Sequence, residues 1–301
     1  MIRIGAAIAV AVSIGVLYAG DDGVPVSVPV TITVHKNTGA PQVTADDVLV
    51  SHNHQRLAVT SLTPQHGSAG VDLWVLIDDG SSMRIGTQLG DLKQFVLAQP
   101  ASTKVGIGYM RNGTVEKVQA LTANHALAAK ALRLPIGTPG ISSSPYMAVE
   151  SLVRHWPAGR SAHEVLMVSS GIDPFYGPGP QDPYLESAVN AAQRAGVVVY
   201  TIYYSGAGRW AHAYWELFWG QHNLAELSDA TGGQMYWLGL TDPVSLSPYL
   251  NDFDQRLGGQ YLLTFMAKPL SKPGFQTVKI RTELPHVSLS GPSKVYVPAG
   301  Q

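Results

Sequence analysis

The hydrophobic pattern changes period twice along this chain. Near the start, Val26, Val28, Val30, Ile32 and Val34 alternate with Ser27, Pro29, Thr31 and Thr33. A period of two places the apolar set on one face of a half-buried strand. Pro29 marks an edge or a bulge there, because it has no N–H to donate. Further short strands are expected over 47–51 and 57–62, joined through His52-Asn53-His54-Gln55.

From residue 71 to about 257 strand and helix patterns alternate. Leu73 to Ile77 is an unbroken apolar run, read as a strand buried on both faces. A helical stripe follows, with Ile85, Leu89, Leu92 and Val96 on one side. Residues 105–110 form a strand that turns at Arg111-Asn112-Gly113 and returns through 115–121. Ser144-Pro145, Asp182-Pro183 and Asp242-Pro243 each read as a helix opening. Residues 165–168, 197–204 and 235–238 read as strands, and 223–231 as a helix stopped by Gly232-Gly233.

After 257 the period returns to two, in 261–265, 278–283, 287–289 and 295–297. Neither β-rich end is long enough to cover its own apolar face. The two ends are therefore expected to pair. The predicted fold class is α/β: a doubly wound, mostly parallel sheet inserted in a small β-sandwich-like domain formed by the chain ends. The expected divisions are 1–22, 23–68, 69–257 and 258–301.

Composition narrows the function. The chain has 301 residues, 45% hydrophobic and 14% charged, with a formal net charge of −1. It has no basic run to track phosphates, so nucleic acid is not an expected partner. Cysteine is absent, which excludes disulfides, thiolate catalysis and a lipid-modified Cys. The N-terminus carries Arg3, a mostly apolar stretch from Ile4 to Leu17, then Tyr18-Ala19-Gly20. That order is a secretory signal's, with an unfavourable cleavage site; an uncleaved anchor is the alternative, and it would be the only contact with a membrane. Either way the remainder is expected to be exported, to the periplasm, the outer envelope or the medium.

The candidate chemistry sits at the end of the first buried strand, Leu73-Trp74-Val75-Leu76-Ile77-Asp78-Asp79-Gly80-Ser81-Ser82-Met83. Asp78 falls at the carboxyl end of the run, where open α/β sheets bind ligands. Asp78 and Ser82 offer the oxygens a hard divalent cation prefers. This segment resembles the metal-site loop of von Willebrand factor type A (VWA) domains, Asp-x-Ser-x-Ser. The order of the later elements, including Val165-Leu166-Met167-Val168-Ser169-Ser170-Gly171 and Ala230-Thr231-Gly232-Gly233-Gln234-Met235-Tyr236, is similar too. The flanking strands resemble a bacterial exported subgroup of that family.

The resemblance implies a Mg²⁺ or Mn²⁺ site built from two Ser and an Asp of the first loop, a Thr or Ser of a second, and an Asp of a third. Asp78 and Ser82 match. Gly80 replaces a hydroxyl ligand, and Ser170 replaces the second carboxylate. Ser144, or less favourably Ser143, stands for the second-loop residue. Asp79 and Asp173 are near in sequence and compensate only by moving. Weak or no metal binding is expected, since Mg²⁺ is usually held through one or two carboxylates.

Plainer readings compete with these. Ser82 and Ser144 both precede helices and are good N-caps. Asp78 could accept backbone N–H bonds with no metal. His52 and His54 have no third ligand nearby and read as a hairpin turn. His163-Glu164 lacks a second His four positions on. Gly106-Ile107-Gly108 lies within a strand and is no dinucleotide fingerprint. Residues 208–223 concentrate Trp210, Tyr214, Trp215, Phe218 and Trp219, as an interface or as helix-to-sheet packing. The Gly/Pro-rich stretch 173–183 reads as a rim loop. The expected function is non-enzymatic protein binding through the loops around Asp78, Ser144 and Ser170. The alternative is an assembly role through the aromatic segment without metal. A hydrolase is disfavoured, because no nucleophile–base pair or metal triad appears.

Overall fold

The computed structural model describes residues 23–34, 43–65, 70–137, 144–157, 159, 161–176, 182–206, 214–237 and 242–299. The first β-rich segment forms β1 (Val24–Val34), β2 (Val48–His52), β3 (Gln55–Leu57) and β4 (Val59–Pro64). The central segment forms β5 (Val71–Asp78), a 3₁₀ turn at Met83–Thr87, α1 (Leu89–Ala98), β6 (Thr103–Arg111) and β7 (Thr114–Thr122). It continues through α2 (His125–Ala131), α3 (Pro145–Arg154), β8 (Ala162–Ser169), α4 (Pro183–Ala195), β9 (Val197–Tyr203), α5 (Tyr214–Thr231), β10 (Met235–Tyr236) and α6 (Ser247–Gly258). The tail adds β11 (Gln260–Ala267), β12 (Gly274–Thr277), β13 (Lys279–Thr282), β14 (Val287–Ser290) and β15 (Lys294–Val297).

The central sheet has the order β10-β9-β8-β5-β6-β7. All neighbours run parallel except the β6–β7 hairpin, which turns through Asn112 and Gly113 at φ 52° and 67°. The side-chain alternation of a strand divides the core in two. Leu73, Val75 and Ile77 face a layer of α1, α2 and α6, whereas Trp74 and Leu76 face α3, α4 and α5. Both faces of β5 are covered, which is why its sequence is an unbroken apolar run.

The chain ends pair as the pattern requires. The β1 strand lies between β11 and β14, and β11 also pairs with β4. The valines of β1 share a third core with Val48, Val50, Leu263, Phe265, Val295 and Val297. Pro29 is paired with Leu262 on one side only, because β14 reaches no further than Thr31. Its missing N–H therefore falls on a locally open edge. This β layer meets the central sheet at the amino ends of its strands, with Pro29 beside Gly196 and the Tyr200 hydroxyl of β9 within 3.2 Å of the Thr31 hydroxyl of β1. The carboxyl ends point away from it.

Four elements differ from the sequence expectation. α2 is short and rich in alanine, and its stripe is too weak to read. α5 starts at Tyr214 rather than near 223, so the described aromatics lie on its first turns. Asp242-Pro243 does not open α6; the Asp242 carboxylate instead accepts the Ser205 hydroxyl at 2.5 Å, and the helix begins at Ser247. β12 carries no clear alternation in the sequence, since only Gln276 of its four residues is buried. Residues 1–22 and Ser143 lie outside the described residues, as do 177–181 and Trp210. Among the described residues no helix is long and apolar enough to cross a membrane.

Candidate functional site

Asp78 ends β5 at the carboxyl edge of the sheet. One carboxylate oxygen accepts the Gly80 amide and the other accepts the Ser169 hydroxyl, each at 2.9 Å. Ser169 reaches Asp78 through the strand register: Ile77 is opposite Val168, so the next residues meet. The Asp78 residue is only partly exposed, and the loss of water around its carboxyl raises its pKa to about 6. The two hydrogen bonds oppose that rise without cancelling it, and the neighbouring charge of Asp79 adds to it.

Asp79, a candidate compensating ligand, points the other way. Its side chain is 1% exposed and is held by Arg133 at 2.8 Å and 3.3 Å and by the Ile136 amide at 2.9 Å. Arg133 also stacks on Tyr109, whose hydroxyl bonds to the Arg133 backbone. The carboxylate is thus part of a structural ion pair that pins the segment before α3. The sequence around Asp79 shows no partner, because Arg133 lies far along the chain.

Ser82 caps the 3₁₀ turn, accepting the Arg84 amide at 3.3 Å, and its own amide donates to the Gly206 carbonyl at 2.7 Å. Ser144 caps α3 by accepting the Met147 amide at 3.2 Å, and it donates its hydroxyl to Asp173. Asp173, the other compensating candidate, is therefore drawn to the second-loop residue. Its remaining oxygen accepts the Phe175 and Tyr176 amides at 2.8 and 3.0 Å. Ser170 is buried and accepts a long bond from the Ile172 amide, 3.4 Å.

Asp182 caps α4, accepting the Tyr184 and Leu185 amides. Burial, and then the negative charge of Asp173, raise its pKa to about 6. The phenol of Tyr146 sits among these groups, donating to the Gly171 carbonyl at 2.6 Å, and is kept neutral by burial and by the charges of Asp182, Asp173 and Asp78. Helix α5 crosses this turn at Gly220, where a Cβ would overlap the Ser170 carbonyl.

The donor set that the resemblance implies is depleted, and its remaining members have partners within the fold. Gly80 has no side-chain oxygen, Ser82 and Ser144 are engaged as caps, and Asp78 already accepts at both oxygens. Asp79 and Asp173 are held by other partners. Among the described residues no three His, Cys, Asp or Glu side chains come together as a metal site.

Apolar exposure concentrates at this end. Met83 follows β5, Leu134 and Ile136 lie beside Asp79, Phe175 and Tyr176 follow β8, and Trp215 and Phe218 start α5. Trp237 and Val244 follow β10. Of the large exposed apolar side chains, only Leu97 and Leu127 lie elsewhere among the described residues. Trp219, a candidate interface residue, is half-buried and meets Phe218 and His222 edge-on.

The strand order, the single antiparallel hairpin at one edge and the loops at the carboxyl ends define a VWA-type, Rossmann-like α/β fold. No family model and no curated protein matches the chain. Among solved structures it is similar to an aerotolerance-related membrane protein of Bacteroides fragilis carrying substitutions to serine (13% identity, TM-score 0.44, 62% of this chain and 98% of that one). It is also similar to the VWA domain of SpRpn10 (14%, 0.38, 60% and 94%). A third similar structure is the open form of the pilus adhesin SpaC of Lactobacillus rhamnosus GG (10%, 0.44, 87% and 49%). This chain thus spans about half of that adhesin. The class rests on the chain's own strand order; at these scores the likenesses carry nothing further.

Proposed function

We propose that this chain is a non-enzymatic protein-binding module, exported to the cell envelope or beyond, that captures its partner through the carboxyl-edge loops without a metal ion. The observation that carries this reading is the gathering of exposed Met83, Ile136, Phe175, Trp215, Phe218 and Trp237 at one end of a sheet whose other end is covered. Large apolar patches of this kind mark interaction sites, and aromatic side chains dominate binding energy where they are desolvated. Catalysis has no support in the geometry: the Ser144 hydroxyl faces a carboxylate rather than a histidine, and the Asp78 carboxylate contacts only hydrogen-bond donors of the fold. Export is read from Arg3 and the apolar stretch after it.

A photo-crosslinking residue placed at Phe218 in the native cell tests the interface, with Leu97 as the exposed apolar control. A partner trapped from Phe218 alone, lost in Trp215→Ala and retained in Asp78→Ala, is the expected result. Capture abolished by Asp78→Ala and by chelator would overturn it in favour of metal-mediated binding. Cell fractionation with mass measurement of the mature chain tests export and cleavage.

A further inference from the structure

Helices α4 and α5 leave an open groove of ≈ 900 Å³ between them, running from Tyr176 at the carboxyl edge to Ser293 and Lys294 at the other end. Its floor includes Leu185 and Val189. Four carboxylates line it, Asp182 and Glu186 from α4 and Glu226 and Asp229 from α5, against the single ammonium of Lys294. His222 lies 3.9 Å from Glu226 and offsets it only when protonated.

One deeper group along the same groove lacks a partner. Asp182, at the start of α4, is 6% exposed and its carboxyl is in hydrogen-bond contact with that of Asp173, so it is already engaged. Gln193 is 7% exposed; its amide N–H groups donate to the Ala230 carbonyl at 2.7 Å and the Ser293 hydroxyl at 3.3 Å, while its oxygen accepts nothing among the described residues. A buried acceptor left unsatisfied is costly. Asp182 and Gln193 stand on one helix, about 16 Å apart at 1.5 Å per residue. Roughly five residues of extended chain span that distance.

We propose that this groove binds a short basic segment of a partner protein, with Lys or Arg side chains on the carboxylates and apolar residues against Leu185 and Val189. The ligand must bring positive charge, because the charged groups of the lining are four carboxylates against one ammonium. Arg194, the nearest large cation on α4, is turned away onto the Tyr296 and Phe275 rings and leaves the groove acidic. The groove touches the carboxyl-edge rim only at Tyr176, and its carboxylates lie along α4 and α5 away from the exposed apolar side chains of the rim.

Fluorescence anisotropy of the full chain with a labelled peptide of alternating Lys and Leu tests this, with a Glu–Leu peptide as control. Glu186→Gln plus Asp229→Asn should weaken Lys–Leu binding about tenfold or more, as two lost ion pairs would. Asp46→Asn plus Glu283→Gln removes the same charge elsewhere and should leave binding unchanged. Glu226→Lys, exposed on α5, should weaken it as well and keeps the test valid if the first pair unfolds. Absence of Lys–Leu binding, equal loss in both double variants, or equal binding of the Glu–Leu peptide would each overturn the proposal.

Discussion

Replacing Asp78 by Asn should stabilise the protein near neutral pH and leave it unchanged in acid. The folded carboxyl has a pKa of about 6 against an ordinary 3.8, because desolvation outweighs the bonds from Gly80 and Ser169. The folded state therefore holds the proton more tightly than the unfolded state. Stability from this group is fully present below about pH 3.8 and is lost as pH rises through about 6. Two pKa units at ~1.36 kcal/mol each make the loss up to ~3 kcal/mol. Asn keeps an acceptor for the Gly80 amide and offers an N–H to Ser169, while removing the charge. In urea unfolding followed by Trp fluorescence, Asp78→Asn should gain ~1–3 kcal/mol at pH 7.5 and nothing near pH 3.5. A variant less stable than the parent at pH 7.5, or a gain equal at both pH values, would refute the reasoning. Millimolar Mg²⁺ should shift neither protein. A rise confined to the parent would mean that the cation, not the proton, is the natural partner of Asp78.

Arg133→Ala should cost about 1–3 kcal/mol, because it leaves the buried Asp79 charge with only the more distant Arg111, 3.9 Å away, and the Ile136 amide; no measurable loss in denaturant unfolding would contradict the ion pair's role. Gly220→Ala should cost ~1–3 kcal/mol through overlap with the Ser170 carbonyl and should displace the first turns of α5, read as an altered Trp emission spectrum and weaker partner capture. Glu164 is fully buried on β8, and the loss of water around its carboxyl raises its pKa well above 4.5 against the opposing hydrogen bond of Gln260. Stability from its neutral form declines as pH rises, so Glu164→Gln should flatten the alkaline side of the stability–pH curve. An unchanged curve would show that Glu164 is not the titrating group.

The architecture is legible in the pattern of residues. Period-two valines, the doubly apolar run into Asp78, the Asn112-Gly113 turn and the Pro-opened helices α3 and α4 follow from local sterics and from which faces must leave water. Those forces act on neighbours in the chain, so they can be read from it. Asp242-Pro243 shows the limit: the same local signal gave way when Ser205, distant in sequence, claimed the carboxylate. The candidate site was legible as a set of loops but not as chemistry. Asp78, Ser82, Ser144 and Ser170 could be named from their positions at element ends, yet the sequence could not show that Arg133 holds Asp79, that Ser144 donates to Asp173, or that Ser169 stands beside Asp78. Hydrogen bonds and ion pairs form between groups that only the packed sheet brings within 3 Å or so. The gathering of Met83, Ile136, Phe175, Phe218 and Trp237 at one edge is likewise decided by tertiary structure, because a parallel sheet aligns the ends of strands that the chain keeps far apart.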